Sequence, residues 1–311
     1  MSICAGFDTS NYTTSVAVLD TGSMTVRNVK QLLPVRQGER GLRQADAVFL
    51  HTKALPALMN EAFEGIDHFD VCGCSSAPRL AEDSYMPCFL VGMNTAAAFS
   101  HGAGCELFTT SHQVGHILAA LFSCKRLDLL SADKPFAAFH VSGGTTEILL
   151  CTPDRDQNIR IQLIGGTTDL NAGQAIDRCG VRLGIGFPCG AELEKLSLQS
   201  TAAFDIKPSV NGLYCSMSGI ENQCAQLARA GAQPCDTAKF CIDSVCAVIE
   251  KLTLNLIEKY SGIEIIYAGG VMSNSTIRGT LSRYGSFAEP SFSSDNAVGI
   301  AVYAALKKGL I

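Results

Sequence analysis

Two stretches of this chain open in the same way, and that duplication constrains the fold more than any other feature. Near the N-terminus ICAGFD is an apolar run ending in an acidic residue, SVAVLD alternates by twos, and MTVRNVKQLL follows as a third extended run. The connections TSNYT and DTGS are short and polar, so the three runs read as a meander. The pattern restarts at Phe136. Phe136 to Val141 is apolar and leads into SGGTTEILLC, where a glycine turn joins two strands, and Ile159 to Ile164 supplies a third. Helical periodicity follows each opening. After the first come a helix from about Ala45 to Phe63, a short strand at Val71 to Ser75, a helix at Phe89 to Ser100, a strand at Leu107 to Thr110 and a helix capped by Ser111. After the second come helices at about Ala172 to Leu183, Met217 to Ala230 and Asp236 to Tyr260, a strand at Ile263 to Ala268 and a last helix at Asn296 to Lys308. A chain of 311 residues exceeds what one core usually accommodates. The reading is therefore a two-lobed α/β protein, residues 1–130 and 131–311, with the break at SADKP, where Pro135 interrupts regular structure.

Composition narrows the function classes. Hydrophobic residues make up 47% and charged residues 17%, enough apolar material for two cores and too little charge for a disordered chain. Trp is absent and aromatics are sparse, so the cores are expected to rely on Leu, Ile, Val and Ala. No basic segment leads into an apolar signal region, and no apolar run approaches the roughly 18 residues of a membrane helix. The expectation is a cytoplasmic protein that does not enter a membrane. Fourteen cysteines occur without a C-x-x-C pair, which argues against a zinc knuckle. They read as free, mostly buried thiols, with Cys72 and Cys74 on one strand face and Cys241 and Cys246 in a helix. The net charge of −5 argues against unaided nucleic-acid binding. Arg36, Arg40 and Arg43, and Lys125 with Arg126, are either solvated surface charge or a limited contact surface.

A few residues carry chemistry. His112 and His116 in SHQVGHILAALF are four apart, so on a helix both imidazoles share one face and two nitrogens can meet one cation. The bland alternative is a pair of packed or surface histidines. The protease motif H-E-x-x-H is excluded, because Gln113 stands at its second position. Gly143 and Gly144 follow an apolar strand in HVSGGTTE, and Gly269 and Gly270 follow another in IIYAGGVMSN. Such turns let backbone amides approach a phosphate, or they are plain turns. Asp177 lies on the helix after the third strand of the second lobe, and Asp295 begins the last helix, where a cap is the plain reading.

Taken together these segments resemble the universal tRNA threonylcarbamoyladenosine transferase family, TsaD in bacteria, formerly called O-sialoglycoprotein endopeptidase. The resemblance runs over almost the whole chain. The family's acidic residue followed by T-S is FDTS here. Its H-x-E-G-H is similar to His112-Gln-Val-Gly-His116, and its V-S-G-G-x-T to Val141 through Thr146. Its D-x-x-x-G-E-A-F-D-K resembles Asp169 through Arg178, its L-G-x-x-Y-P-G-G resembles Leu183 through Gly190, its G-G-V-x-x-N resembles Gly269 through Asn274, and its T-D-N-x-x-M-I-A resembles Ser294 through Ala301.

The resemblance implies a two-lobed actin-like (ASKHA, ribonuclease H-like) fold with a cleft between lobes. It implies transfer of a threonylcarbamoyl group from its adenylate to N6 of the anticodon-adjacent adenosine of tRNA. One divalent metal ion, Fe2+ or Zn2+, is expected on His112, His116 and Asp295. His140, where relatives carry Tyr, is either a further ligand or a strand histidine. His140, Val141, Ser142, Gly143, Gly144, Asp177, Gly190, Gly269, Gly270 and Asn274 are expected to bind the adenylate, ATP or ADP. The implied partners are tRNA, held with help, an actin-like subunit and small accessory proteins. Departures mark a diverged member. Tyr12 and Thr13 replace an acidic pair, Val114 and Gln174 replace two glutamates, Glu221 replaces a basic residue, and Ala77 to Leu80 lacks the family's glycines. These losses keep a second reading open, a catalytically weak actin-like nucleotide-binding subunit. A metallopeptidase ranks last.

Overall fold

The two β-rich openings build two sheets that share a five-strand order. The computed structural model describes every residue except Asn11, 35–41, Glu82, Asp133, Gln157, Ser294 and Asp295. Arg36, Arg40 and Asp295 therefore lie outside the described residues.

In the first sheet β1 (Ile3–Thr9), β2 (Thr13–Asp20) and β3 (Thr25–Leu32) form an antiparallel meander. α1 (Gln44–Ala62) leads to β4 (Val71–Ala77), parallel to β1, and α2 (Phe89–Ala103) leads to β5 (Glu106–Ser111), parallel to β4. The order is β3-β2-β1-β4-β5. β1 and β2 are buried almost throughout, which explains their apolar sequence, whereas edge strand β3 carries Arg27, Asn28 and Lys30. α3 (His112–Ser123) starts where β5 ends, and the Ser111 hydroxyl caps it by accepting the Val114 N–H at 3.3 Å.

The second sheet repeats the plan. β6 (Phe136–Val141), β7 (Thr146–Asp154) and β8 (Asn158–Thr167) come first, with β6 and β7 antiparallel from Phe136↔Cys151 to Val141↔Thr146. There follow α4 (Ala172–Arg182), α5 (Gly190–Ser197), β9 (Val210–Asn211), β10 (Tyr214–Cys215), α6 (Ser218–Arg229) and α7 (Pro234–Lys259). β11 (Glu264–Ala268) pairs parallel with β6; α8 (Ser275–Leu281) then leads to β12 (Ser286–Phe287), parallel to β11. Within the order β12-β11-β6-β7-β8-β10-β9, the run β8-β7-β6-β11-β12 reproduces the first sheet position for position. The short β9, β10, β12 and α5 carry too few residues for a periodic signal, and the sequence reading missed them.

The chain divides into two compact units, Met1–Ser131 with Pro153–Arg160 and Ser294–Ile311, and Ala132–Thr152 with Ile161–Ser293. The last helix, α9 (Val298–Lys308), thus belongs with the first unit, whereas the sequence reading grouped it with the second lobe. The reason is close packing. A Cβ added to Gly299 would stand 1.8 Å from the Gly115 carbonyl oxygen, so the α9 and α3 backbones touch. Val298 through Ala305 are all buried.

The first unit's core departs from the aliphatic expectation. Phe7, Phe63, Phe69 and Phe99 cluster, with Phe63 and Phe69 ring centroids 4.7 Å apart. In the second unit Tyr267 stacks on Phe287 at 4.6 Å and its hydroxyl meets the Thr253 hydroxyl at 2.9 Å. All fourteen cysteines are free thiols, eleven of them buried, and Cys72 and Cys74 share the β4 core face.

Candidate functional site

In the first unit the Ser111 cap fixes where α3 begins, and so places His112 in its first turn and His116 one turn later. Their Nε2 atoms lie 2.9 Å apart, with the rings at 75°. Nδ1 of His112 lies 3.0 and 3.1 Å from the two carboxylate oxygens of Asp8, at the end of β1. Asp8 is fully buried and accepts the Ser75 hydroxyl proton from β4. A buried carboxylate against Nδ1 keeps the His112 proton on that nitrogen and leaves the Nε2 lone pair as a donor. Two nitrogens each about 2.0–2.1 Å from one cation stand roughly 3 Å apart, so the observed separation fits a shared metal ion. Gly115, between the histidines in sequence, packs against Ile300, where an added Cβ would come within 2.7 Å of Cδ1, and this fixes the helix axis. Val114, where the family's pattern has Glu, is 1% exposed and packs inward. Asp8 was missed as a functional residue. Its signal was present, a lone acid in an otherwise apolar strand.

In the second unit several of the expected nucleotide-binding residues come together. The turn after β6 closes through the Ser142 N–H on the Thr145 carbonyl at 2.7 Å, and the Gly144 N–H donates to the Ser142 hydroxyl at 3.3 Å. The N-terminus of α4 packs on this turn: a Cβ at Gly173 would stand 2.7 Å from the Gly143 nitrogen. Gly269 packs on the end of the same strand. Its φ of +102° suits glycine, and a Cβ there would lie 2.2 Å from the Val141 carbonyl oxygen. By contrast Gly143, Gly144, Gly190 and Gly270 have open space where a side chain would project. His140 lies on β6 between Glu147 of β7 and Ala268 of β11. Asn274 caps α8, its Oδ1 accepting the Thr276 and Ile277 N–H groups at 3.0 and 3.2 Å.

A pocket of about 550 Å³ opens along one face of α4, lined by Gln174, Asp177, Arg178, Val181 and Arg182, with Phe187 and Glu221 opposite. Asp177 Oδ1 accepts the Cys189 N–H at 2.8 Å and thereby ties the loop before Gly190 to the pocket. Arg178 pairs with Glu221 at 2.7 Å. In the sequence alone Gln174 and Glu221 stand as lost charges. In the structure Gln174 Oε1 accepts the Asn171 N–H at 3.2 Å in the capping box of α4, and Glu221 returns a carboxylate to the same pocket. Asp169 anchors α6. Burial works to raise its carboxyl, but the Ser216 and Ser218 hydroxyls and the Met217 and Leu170 N–H groups hold it well below the usual range.

Comparison with solved structures defines the class. The chain aligns over 99% of its length with component A of (R)-2-hydroxyglutaryl-CoA dehydratase from Acidaminococcus fermentans, covering all of that chain at TM-score 0.54 and 14% identity. It also aligns over 99% with HypF from T. kodakarensis, covering 47% of that chain at TM-score 0.58 and 12% identity. These likenesses bear on the fold alone, which is the actin-like ASKHA fold. Residues 85–302 match the family described as TsaD, tRNA N6-adenosine threonylcarbamoyltransferase, and the chain belongs to that family.

Among curated relatives, the tRNA N6-adenosine threonylcarbamoyltransferase of Thermosipho africanus is 28% identical over 99% of this chain and 96% of its own length. That of Streptococcus pneumoniae is 29% identical over 89% of this chain and 82% of its own. The chain spans about half of a third, the probable bifunctional tRNA threonylcarbamoyladenosine biosynthesis protein of Thermoplasma acidophilum, 26% identical over 89% of this chain and 49% of that protein. Among the described residues no helix is long and apolar enough to cross a membrane.

Proposed function

We propose that this chain transfers the L-threonylcarbamoyl group of threonylcarbamoyl-adenylate to N6 of the adenosine beside a tRNA anticodon. The observation that carries the reading is the convergence of the His112 and His116 Nε2 atoms with Asp8 behind His112, in a chain of the TsaD family. In the reaction the N6 amine forms a bond to the carbamoyl carbon, the bond from that carbon to the phosphate oxygen breaks, AMP leaves with the electron pair, and the amine gives up one proton. His112, His116 and Asp295, with His140 as a further candidate, would hold a divalent cation, Fe2+ or Zn2+, which would supply Lewis-acid polarisation of the carbamoyl group.

The chain's own residues prepare the rest. Asp8 holds the His112 tautomer that keeps Nε2 available. Gly143, Gly144 and Gly270, whose side-chain directions are open, present backbone to the AMP phosphate, and Ser142 shapes their turn. Asp177 and Gly190 line the approach of the ribose, and Asn274 that of the nucleotide edge. Glu221 and Arg178 offset each other and keep the pocket from carrying a large net charge. With a net charge of −5, the chain takes its grip on tRNA largely from an actin-like partner subunit and small accessory proteins. These roles suit a cytoplasmic protein.

Complementation tests the reading. In a strain depleted of its own transferase the wild-type chain is expected to restore the modified adenosine in tRNA, and a folded His116→Ala variant is expected not to. If soluble wild-type chain restores nothing, the catalytically weak nucleotide-binding subunit is the reading that takes its place.

A further inference from the structure

Outside the histidine pair, the second unit brings three more ligand-type side chains to one point. The Sγ atoms of Cys179, Cys224 and Cys241 all lie within 4.8 Å of one another. They come from three different helices, α4, α6 and α7, and none is more than 1% exposed. No C-x-x-C spacing marks them, so only the fold reveals the group. Around them the backbone offers weak acceptors: Cys179 Sγ stands 4.0 Å from the Thr237 carbonyl oxygen and Cys241 Sγ 3.9 Å from that of Ala175.

A second observation stands beside the thiols. Thr237 is fully buried, and its hydroxyl has no hydrogen-bond partner among the described residues. A buried hydroxyl without a partner is unfavourable to leave unsatisfied. Thr237 precedes Cys241 by one turn of α7, on the same helix face, and its carbonyl meets Cys179. Three soft sulfurs thus meet at one buried point, with the backbone carbonyl of Thr237 against Cys179. Thiolate sets of this kind select Zn2+ or Cu+ over harder cations.

We propose that Cys179, Cys224 and Cys241 hold one thiophilic closed-shell cation, Zn2+ or Cu+, that pins α4, α6 and α7 together. Binding replaces thiol protons with metal–sulfur bonds, so it releases protons to solvent. Because the sulfurs are buried, the cation enters while the unit folds. Three thiolates around Zn2+ leave one negative charge, and Arg182, one turn beyond Cys179 on α4, supplies a positive one nearby. The structural consequence is local. α4 carries Gly173, Asp177 and Arg178, so a metal beneath it fixes the face on which those residues stand. The site is independent of the histidine pair and of the transfer reading.

The test uses the full chain with His112→Ala and His116→Ala, which removes the histidine site. It is purified without chelator from cells grown with added Zn2+ in one arm and added Cu+ in the other, and metal content is measured with X-ray absorption at the metal edge. The expected result is one equivalent of one of these metals per chain with a three-sulfur shell, at about 2.3 Å if the metal is zinc, lost in the further variant Cys224→Ser. The two arms decide between the cations. The proposal is overturned if neither arm yields bound metal, if the bound metal shows no sulfur shell, or if two of the three cysteines prove to be joined as a disulfide. Should Cys224→Ser not fold, the sulfur shell in the parent variant decides alone: three sulfurs uphold the site and none sinks it.

Discussion

Nε2 of His112 lies 2.9 Å from Nε2 of His116, while Nδ1 of the same His112 rests 3.0 Å from the buried carboxylate of Asp8. The arrangement sets one imidazole's proton on the far side from its neighbour. Removing His112 is expected to abolish binding of a divalent ion at this pair. Asp8→Asn keeps the shape but weakens control of the tautomer, and second-layer changes of this kind lower metal affinity by about 10–100-fold. Metal titration of the wild type and both variants checks this, and equal affinity in all three would remove the site.

The glycines of the second unit separate into two kinds with opposite expected outcomes. Gly144 has open space at its Cβ position, so Gly144→Val is expected to fold normally and to lose ATP, ADP or adenylate binding by calorimetry. Gly173 has the Gly143 backbone within 2.7 Å of that position, so Gly173→Val is expected to destabilise the unit itself. Wild-type affinity in Gly144→Val, or no binding by the wild type at millimolar ligand, would count against the turn as a phosphate contact.

These two kinds of glycine mark the limit of what the sequence discloses. Strand ends, the His112–His116 spacing and the capping of α3 by Ser111 are local, and periodicity and spacing expose them. The partnership of Asp8 with His112 and the meeting of Cys179, Cys224 and Cys241 join residues far apart in the chain, which only the packed sheets and helices bring together. The placement of α9 with the first unit depends on a backbone contact between Gly299 and Gly115, and a glycine in sequence does not announce its partner. The Arg178–Glu221 pair shows the same limit: read singly, Glu221 is a lost basic residue, whereas in the fold it is the ion-pair partner of Arg178.

The Gly299–Gly115 contact gives a third prediction. Gly299→Ala would gain about 1 kcal/mol of helix propensity, but its Cβ would overlap the Gly115 oxygen at 1.8 Å. An overlap that severe cannot relax without moving a helix, and overpacking costs about 1–3 kcal/mol or more. The net expectation is a lower melting temperature, by several degrees. An unchanged or raised value would show that α9 is not seated as described.

His51 sets a pH dependence. It is fully buried on α1, its Nδ1 meets the Thr14 hydroxyl at 2.7 Å, and its Nε2 has no partner among the described residues. Burial holds its protonation below the ordinary value near 6.5, against the opposing pull of the Ser10 backbone and the Asp8 charge. The unfolded chain therefore binds more protons around that pH. The stability contributed by the neutral ring is present above about pH 6.5 and is lost as pH falls toward the folded-state value. Urea unfolding between pH 8 and 5 is expected to show this decline, flattened in His51→Gln; an identical slope in the variant would assign the decline to other groups.

The central claim is transfer to tRNA, and it is tested most directly by nucleoside mass spectrometry of tRNA incubated with threonylcarbamoyl-adenylate and the purified chain, with and without its partner proteins. The account predicts threonylcarbamoylated adenosine in the reconstituted reaction, little with the chain alone near physiological salt, and none when His112→Ala replaces the wild type. Product formed at the wild-type rate by His112→Ala, or no product from any reconstituted mixture of folded wild-type chain, would contradict it.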